Sequence, residues 1–419
     1  MIQPRQVIGA WLLVSILLPT AAAHTAIYYV ATSGHDSNPG TKSQPWRTVA
    51  YAVSTMMAGD TTYVMEGTYN EGVIRFKRSG TQAAPIKLLN YPGHAPKIVF
   101  NDPDAIHRIL IQHSSGHNFP MGWITIEGLE LTNGHDGIKW HNLHDSTIQR
   151  NWIHHNKFMG MLGIGGARIR IDRNRINQNG WFAGCEGSFP KVCNLHHGIY
   201  AHGTAYTITN NLIYGNLSYG IQQNGSSTST HDTTKHPSTE FAGAADWLIA
   251  HNTFAYNAYR GGMVVWGPRC NNSRIENNIF YENSVNVSTS PQGIEFVSSS
   301  SVTGVKVRNN IAYATPPGST VFLGSGVTEW VHYTQSGNSV NISTPGFVDA
   351  PATLPDWPNF SLTAGSPAID KGLDITTIRE DFDGTPRPQG RAPDIGAYEY
   401  VAGSDAQSPS ASRAARQIR

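Results

Sequence analysis

From residue 124 onward the chain repeats one arrangement of apolar and polar positions. ITIEGLELTNG, TIQRNWIHHN, IRIDRNRINQN, TITNNLIYGN, LIAHNTFAYN and RIENNIFYEN each alternate apolar with polar residues. Each then turns at an Asn (Gly128 in the first) and reaches a second Asn five residues later. Alternation with period two marks short strands that bury one face. The first series is Asn151, Asn174, Asn211, Asn252 and Asn278, with Asn310 continuing it; the second is Asn133, Asn156, Asn179, Asn216, Asn257 and Asn283. The shortest period is 23 residues, from Gly128 to Asn151 and again to Asn174, and longer intervals hold insertions. Asn tolerates left-handed turns, and its amide can bond the same group one coil above and below. An all-β, right-handed parallel β-helix is therefore expected, not a leucine-rich horseshoe, which would show a leucine consensus.

Between the two Asn series lies another recurring strand: GIKWH at 137–141, GMLGI at 160–164, GIYAH at 198–202, GIQQN at 220–224, GMVVW at 262–266 and GIEFV at 293–297. The second residue is always Ile or Met and belongs inside. By alternation the fourth does too, and the third and fifth point outward. One outer face then carries Lys139, His141, Tyr200, His202, Gln222 and Asn224, with Glu295 and Trp266 further along. Only Gln223 is awkward among the inward positions. Extra residues at 181–196 and 225–243 leave the coils that border this face. They could wall a groove in which Trp181, Phe182 and Trp266 stack on sugar rings; long insertions on a regular scaffold are commonly functional. His196 and His197 fall at the turn before the strand, as groove rim or plain turn residues.

Toward the N-terminus, QPWRTVAYAVSTMMAGD sets Trp46, Val49, Ala50 and Val53 at helical spacing, suited to a helix that caps the open end of the stack. The organisation expected is residues 1–23 as a signal peptide, 24–100 as cap and first coils, 101–335 as the β-helix core with inserted loops, 336–400 as a C-terminal segment and 401–419 as a disordered tail.

Composition removes several function classes. The formal net charge of the 419 residues is +1 and only 14% are charged, so nothing points to nucleic acid or to an acidic solvating tail. Arg5, the apolar run VIGAWLLVSILLPT and the small residues before His24 form an export signal with cleavage near Ala23. The run is short for a membrane span. A secreted or periplasmic protein with no span after signal removal is expected. In an oxidising compartment Cys185 and Cys193 could staple the loop CEGSFPKVC, leaving Cys270 unpaired. A zinc site at that pair lacks a second pair of ligands.

YYVATSGHDSNPGTKSQPWRTVAYAV, followed by AGDTTYVMEGTYNEGV, resembles the opening of secreted right-handed β-helix proteins of the pectate lyase-like group, many of them polysaccharide lyases. SPAIDKG…DFDGTPRPQGRAPDIGAYEY is similar to a C-terminal stretch common in that group. The resemblance implies fold and secretion. It leaves the substrate open, because the group also contains epimerases, hydrolases and proteins of unknown activity.

Among these chemistries a polyuronate lyase makes the most use of the outer face. It must remove the proton α to a carboxylate, protonate the leaving oxygen and stabilise charge on the carboxylate, and His, Tyr or Lys in a partly desolvated groove suit those tasks. His202 is the leading base, with Tyr200 as acid or second proton carrier. Lys139 either neutralises the substrate carboxylate or is the base itself, as in lysine-type β-helix lyases. His141, His197, Gln222, Asn224, Arg260, Trp266 and Glu295 are expected to bind substrate, an acidic polysaccharide. No cofactor is required. Calcium stays open, although calcium-dependent pectate lyases cluster aspartates and Asp136 stands nearly alone. His135, His141, His196, His197 and His202 lack the compact spacing of a transition-metal site. Three alternatives remain: a glycoside hydrolase, for which Glu295 and Asp136 are widely spaced and Glu186, Glu240 or Asp246 would have to supply partners; a uronate C5-epimerase; and a non-catalytic glycan-binding scaffold.

Overall fold

The computed structural model describes residues 25–403 except 103, 105, 107, 113–118, 182–192, 226–240, 242, 285–292, 298–300, 314–320, 324–328, 330, 341–343 and 351–357. The chain winds into a right-handed parallel β-helix. Each coil gives one strand to each of three parallel stacks, here called the site sheet, the second sheet and the third sheet. In the site sheet Ile74–Phe76, Ile109–Ile111, the first part of Asp136–Gln149, the first part of Met159–Asp172, Ile199–Ala201, Ile221–Asn224, Met263–Trp266 and Ile294–Val297 pair in that order. Asp136–Gln149 and Met159–Asp172 run on round a bend into the second sheet; the first of them turns through left-handed Asn142 and Asp145. The third sheet includes Glu130–Thr132, Trp152–His154, Arg175–Asn177 and Leu212–Tyr214 in parallel register.

Both Asn series are built as hydrogen-bonded ladders. Asn174 Oδ1 accepts from the backbone and side-chain nitrogens of Asn151 at 3.0 and 3.1 Å, and Asn211 Oδ1 accepts in the same way from those of Asn174. The first ladder continues through Asn310 to Asn338, one rung beyond the repeat recognised in the sequence. Two details differ from expectation. The rungs do not themselves take the left-handed conformation; the residue before each does, as at Arg150, Arg173, Asn210, His251, Asn277 and Asn309. Asn133 is not a rung either. The amide that would stack on it, Asn156, accepts instead from Gly134 N, while Asn133 has φ 61° and donates to Phe100 O. The first repeat is thus one residue out of step with the alignment, because its turn is made by Gly128 and Leu129 in place of a left-handed residue followed by Asn.

The expected cap is Val49–Thr55, with Thr48 as N-cap and Val49, Ala52 and Val53 buried. Asp36 accepts from the Arg47 and Thr48 amides at 2.9 Å ahead of the helix. Glu71 accepts from Val49 N at 2.7 Å and from Ala50 N, and Thr48 Oγ1 from Tyr51 N at 3.2 Å, which satisfies the orphan donors of the first turn. Trp46 is buried just ahead of the helix. At the other end of the chain, Phe360, Phe382, Ala397 and Tyr398 cover Leu212, Tyr214 and Ala255 on the outside of the third sheet. Arg387 and Glu399 form a fully buried ion pair there at 2.7 Å. No helix among the described residues is long and apolar enough to cross a membrane.

Candidate active site

The alternation rule orients the site sheet correctly. Ile138, Trp140, Met161, Ile199, Ala201, Ile221, Met263, Val265, Ile294 and Phe296 are fully buried in the core. Gln223 is inside as well; its amide nitrogen donates to Ser273 Oγ at 2.7 Å and to Ala244 O, and its amide oxygen is buried without a partner among the described residues. The outward column runs Lys139, Leu162, Tyr200, Gln222, Val264 and Glu295. Tyr200, Lys139, Trp266 and Glu295 are partly exposed, whereas His141, His202, Gln222 and Asn224 are almost covered although they point away from the core.

The centre of the site is the Tyr200 hydroxyl. His202 Nε2 lies 3.2 Å from it, and Asn224 Nδ2, one coil on, donates a short hydrogen bond to it. The Tyr200 and His202 rings meet edge to face with centroids 5.2 Å apart. Burial raises the Tyr200 phenol above its ordinary range, and the Asn224 donor opposes that shift in part. His197 stacks parallel to Tyr200 at 5.9 Å. Burial holds His197 at about 3, neighbouring His196 pushes the same way, and the Gln222 side chain pulls weakly against both. This imidazole is neutral, and its Nδ1 accepts from Tyr219 N at 3.3 Å.

A core aromatic stack holds the strand end. Tyr206 lies flat on Trp247, with centroids 4.6 Å apart and planes 7° apart. Its hydroxyl donates to His202 O at 2.7 Å and accepts from Trp140 Nε1 at 3.2 Å. Trp247 Nε1 donates to Gly203 O at 2.7 Å. Trp140 fits because its neighbour one coil on is Gly163, where a Cβ would come within 2.4 Å of the indole. Buried polar groups with full partners lock rotamers and backbone alike, so the His202 turn is positioned from inside the helix.

The other predicted residues take separate places. Lys139 is two coils from Tyr200, a backbone separation of about 10 Å, with Leu162 between them. Lys139 therefore does not share the Tyr200–His202 contact. It sits instead with Arg108 and Asp136: burial and Arg108 lower its ammonium pKa while Asp136 opposes them. His141 points outward from the Lys139 coil. Glu295 accepts a short hydrogen bond from the Tyr219 hydroxyl, and Arg260 Nε donates to Asn194 Oδ1 at 2.8 Å. Trp266 is the next-coil neighbour of Asn224. Trp181 is partly exposed, and its Nε1 donates to Gly215 O at 2.9 Å. Cys193 is buried and held in a disulfide; Cys185, the expected partner, lies outside the described residues, as do Phe182, Glu186, Glu240 and most of both insertions. Cys270 is a free, buried thiol. Among the described residues no three His, Cys, Asp or Glu side chains are grouped to hold a metal.

Sequence reasoning missed Tyr219 and Arg108. Tyr219 immediately precedes the glycine of its strand, as His197 and Asp136 do, and backbone bonds from Gly160 to His197 and from Gly198 to Tyr219 put these residues in one column. A comparison of the pre-glycine positions would have found it. Arg108 precedes a strand that lacks the Gly-Ile signature altogether.

These features define a parallel β-helix that gathers acid–base and amide side chains on the outer face of one sheet. The chain belongs to the Pel9A-like right-handed β-helix family, whose model matches residues 28–315. Among solved structures it is similar to pectate lyase Pel9A, at 18% identity and a TM-score of 0.53 over 90% of this chain and 98% of that one. It is also similar to an alginate lyase from Paenibacillus sp. str. FPU-7, at 15% identity and a TM-score of 0.53 over 70% of this chain and 93% of that one. At such identities the likeness establishes the fold. A stretch of 108 residues is 33% identical to the uncharacterized protein YwoF of Bacillus subtilis (strain 168); it covers 25% of this chain and 22% of that protein, so the chain spans about a fifth of this relative.

Proposed function

We propose that the chain is a polysaccharide lyase that cleaves a uronate-containing polymer by β-elimination on the outer face of the site sheet. The observation that carries this reading is the hydroxyl of Tyr200, held between His202 Nε2 and the Asn224 amide. With Asn224 donating, the phenolic hydrogen is left to point at His202 Nε2, which then carries a lone pair. His202 takes the proton at C5 of the uronate, and the electron pair forms the C4–C5 double bond. As the C4–O bond breaks, Tyr200 gives its proton to the leaving oxygen. The 3.2 Å hydrogen bond then returns the proton from His202 to the phenolate, which closes the cycle without another reactant. Gln222 and Asn224 lie where their amides can bond the carboxylate as charge develops. Lys139, two coils away, is left out of this step.

Among the described residues, the carboxylates of Asp136 and Glu295 do not form a hydrolytic pair. Asp136 is paired with Arg108 and Glu295 with Tyr219. Five coils separate them, on the order of 24 Å, well beyond the roughly 10 Å limit of a glycosidase pair. Action outside the cytoplasm is part of the proposal: the N-terminal apolar run and the disulfide at Cys193 suit an oxidising compartment. The test is absorbance near 235 nm, where the unsaturated product absorbs, during incubation with pectate, alginate and glycosaminoglycan. Tyr200→Phe and His202→Ala should each lower the rate by about 10²–10⁴-fold. Unchanged turnover in both variants would move the site elsewhere on the β-helix.

A further inference from the structure

The outward column of the site sheet extends toward the N-terminus beyond the candidate active site. Register carries it from Tyr200 back through Leu162 and Lys139 to Leu110 and Arg75. Polar and apolar residues alternate coil by coil: Arg75, Leu110, Lys139, Leu162, Tyr200. Each polar residue is two coils, or about 10 Å, from the next. Arg75 is exposed, Lys139 and Leu162 are partly exposed, and Leu110 is nearly covered.

Beside Lys139 the structure contains more cationic groups than its own ion pairs use. Arg108 and Asp136 form a buried pair, yet Arg108 Nε and Asp136 Oδ1 have no hydrogen-bond partner among the described residues. His135 Nδ1 approaches Asp136 Oδ2, the oxygen that Arg108 binds, at 3.2 Å, and its ring stacks on Phe158. One carboxylate thus faces Arg108, Lys139 and an imidazole, which leaves a net positive site even with the histidine neutral. Two cationic side chains against one carboxylate favour an anion and disfavour a hard cation.

We propose that this column is a track for an extended polyuronate lying along the helix axis, with every second carboxylate held by the protein. Arg75 holds one and Lys139, backed by Arg108, holds the next, two sugars from the bond cleaved at Tyr200. This rests on the lyase reading for the position of the cleaved bond. The physical basis is a match of repeats. A pyranose spans about one coil between its glycosidic oxygens, and an extended chain with near-twofold symmetry turns alternate carboxylates to the same side. Leu162, and Leu110 beneath it in the column, lie where the intervening sugars turn their C–H faces inward. The carboxylate selectivity is therefore supplied by fixed cations and needs no calcium.

The test is calorimetric titration with two-, four- and six-residue oligomers of galacturonate, mannuronate and glucuronate, and with their carboxyl-reduced counterparts, in the presence of chelator. At least one charged series should bind about tenfold or more tighter than its reduced form, the worth of one charge-assisted hydrogen bond. Lys139→Gln should remove most of that preference for four-residue oligomers and reduce it for six-residue ones, and Arg75→Gln should reduce it only for the six-residue ones. If no charged series outbinds its reduced form, or if both variants bind all lengths as the parent does, the track is overturned. Absorbance near 235 nm on the same samples separates the two proposals. Charge-selective binding without unsaturated product leaves the track standing and defeats the lyase reading, and product formed at the parent affinity in both variants does the reverse.

Discussion

Tyr206 reaches no substrate, yet its hydroxyl ties His202 O to the Trp140 indole inside the coil. Tyr206→Phe leaves both groups buried without that partner, which should cost about 1–3 kcal/mol. It should also lower kcat more than KM, because the His202 turn loses its inner anchor; urea unfolding alongside steady-state kinetics checks both. At His197 the consequence concerns pH. The fold holds its pKa at about 3, below the unfolded value near 6.5. The stability linked to its neutral form is complete above about pH 6.5 and is lost as pH falls toward 3, since only the unfolded chain takes up the proton in that window. Melting temperatures should fall from pH 7 to pH 4, and His197→Gln should flatten that slope. At this scale the sequence was partly legible. Tyr200, His202 and Asn224 follow from alternation alone, because the period of two determines which side chains share a face. The covering of His202 and the pairing of Arg108 with Asp136 were not legible, because they depend on contacts between coils and turns with no sequence spacing of their own.

The Asn ladders are the element that keeps successive coils in register. Removing Asn211 strips the partner from the backbone and amide nitrogens of Asn174 and vacates the donors to Ile171 O and Asn252 Oδ1. Asn211→Ala should destabilise by several kcal/mol, at about 1–3 kcal/mol for each buried group left unmatched. Asn338→Ala, at the end of its ladder and only partly buried, should cost less; chemical denaturation of the two variants compares them. The C-terminal segment packs on the third sheet through Phe360, Phe382, Ala397 and Tyr398, and is itself held together by the buried Arg387–Glu399 pair. Arg387→Met leaves Glu399 charged and unpaired in the interior and should cost about 3–5 kcal/mol, seen as a lower melting temperature. The ladders were evident in the sequence as spaced asparagines. Their first coil was misaligned by one residue, because glycine replaces the Asn turn there and the chain offers no amide to count.

As a whole molecule the chain is a solenoid of stacked coils with a chemically patterned outer column. The fold was legible because a solenoid repeats its core, so each coil states the same alternation again. Function was less legible, because the outward positions are free of the packing that makes the inward ones regular. The Pel9A-like family and the fold shared with a pectate lyase and an alginate lyase define the architecture, which hosts more than one chemistry. The central claim is that Tyr200 and His202 cleave by elimination. The most direct measurement is mass spectrometry of the oligosaccharides released from a uronate polymer in heavy-oxygen water. Elimination predicts unsaturated ends one water lighter than a hydrolysis product, with no heavy oxygen incorporated, and no such product from Tyr200→Phe. Products with saturated non-reducing ends, none of them one water lighter, would contradict it and establish hydrolysis instead.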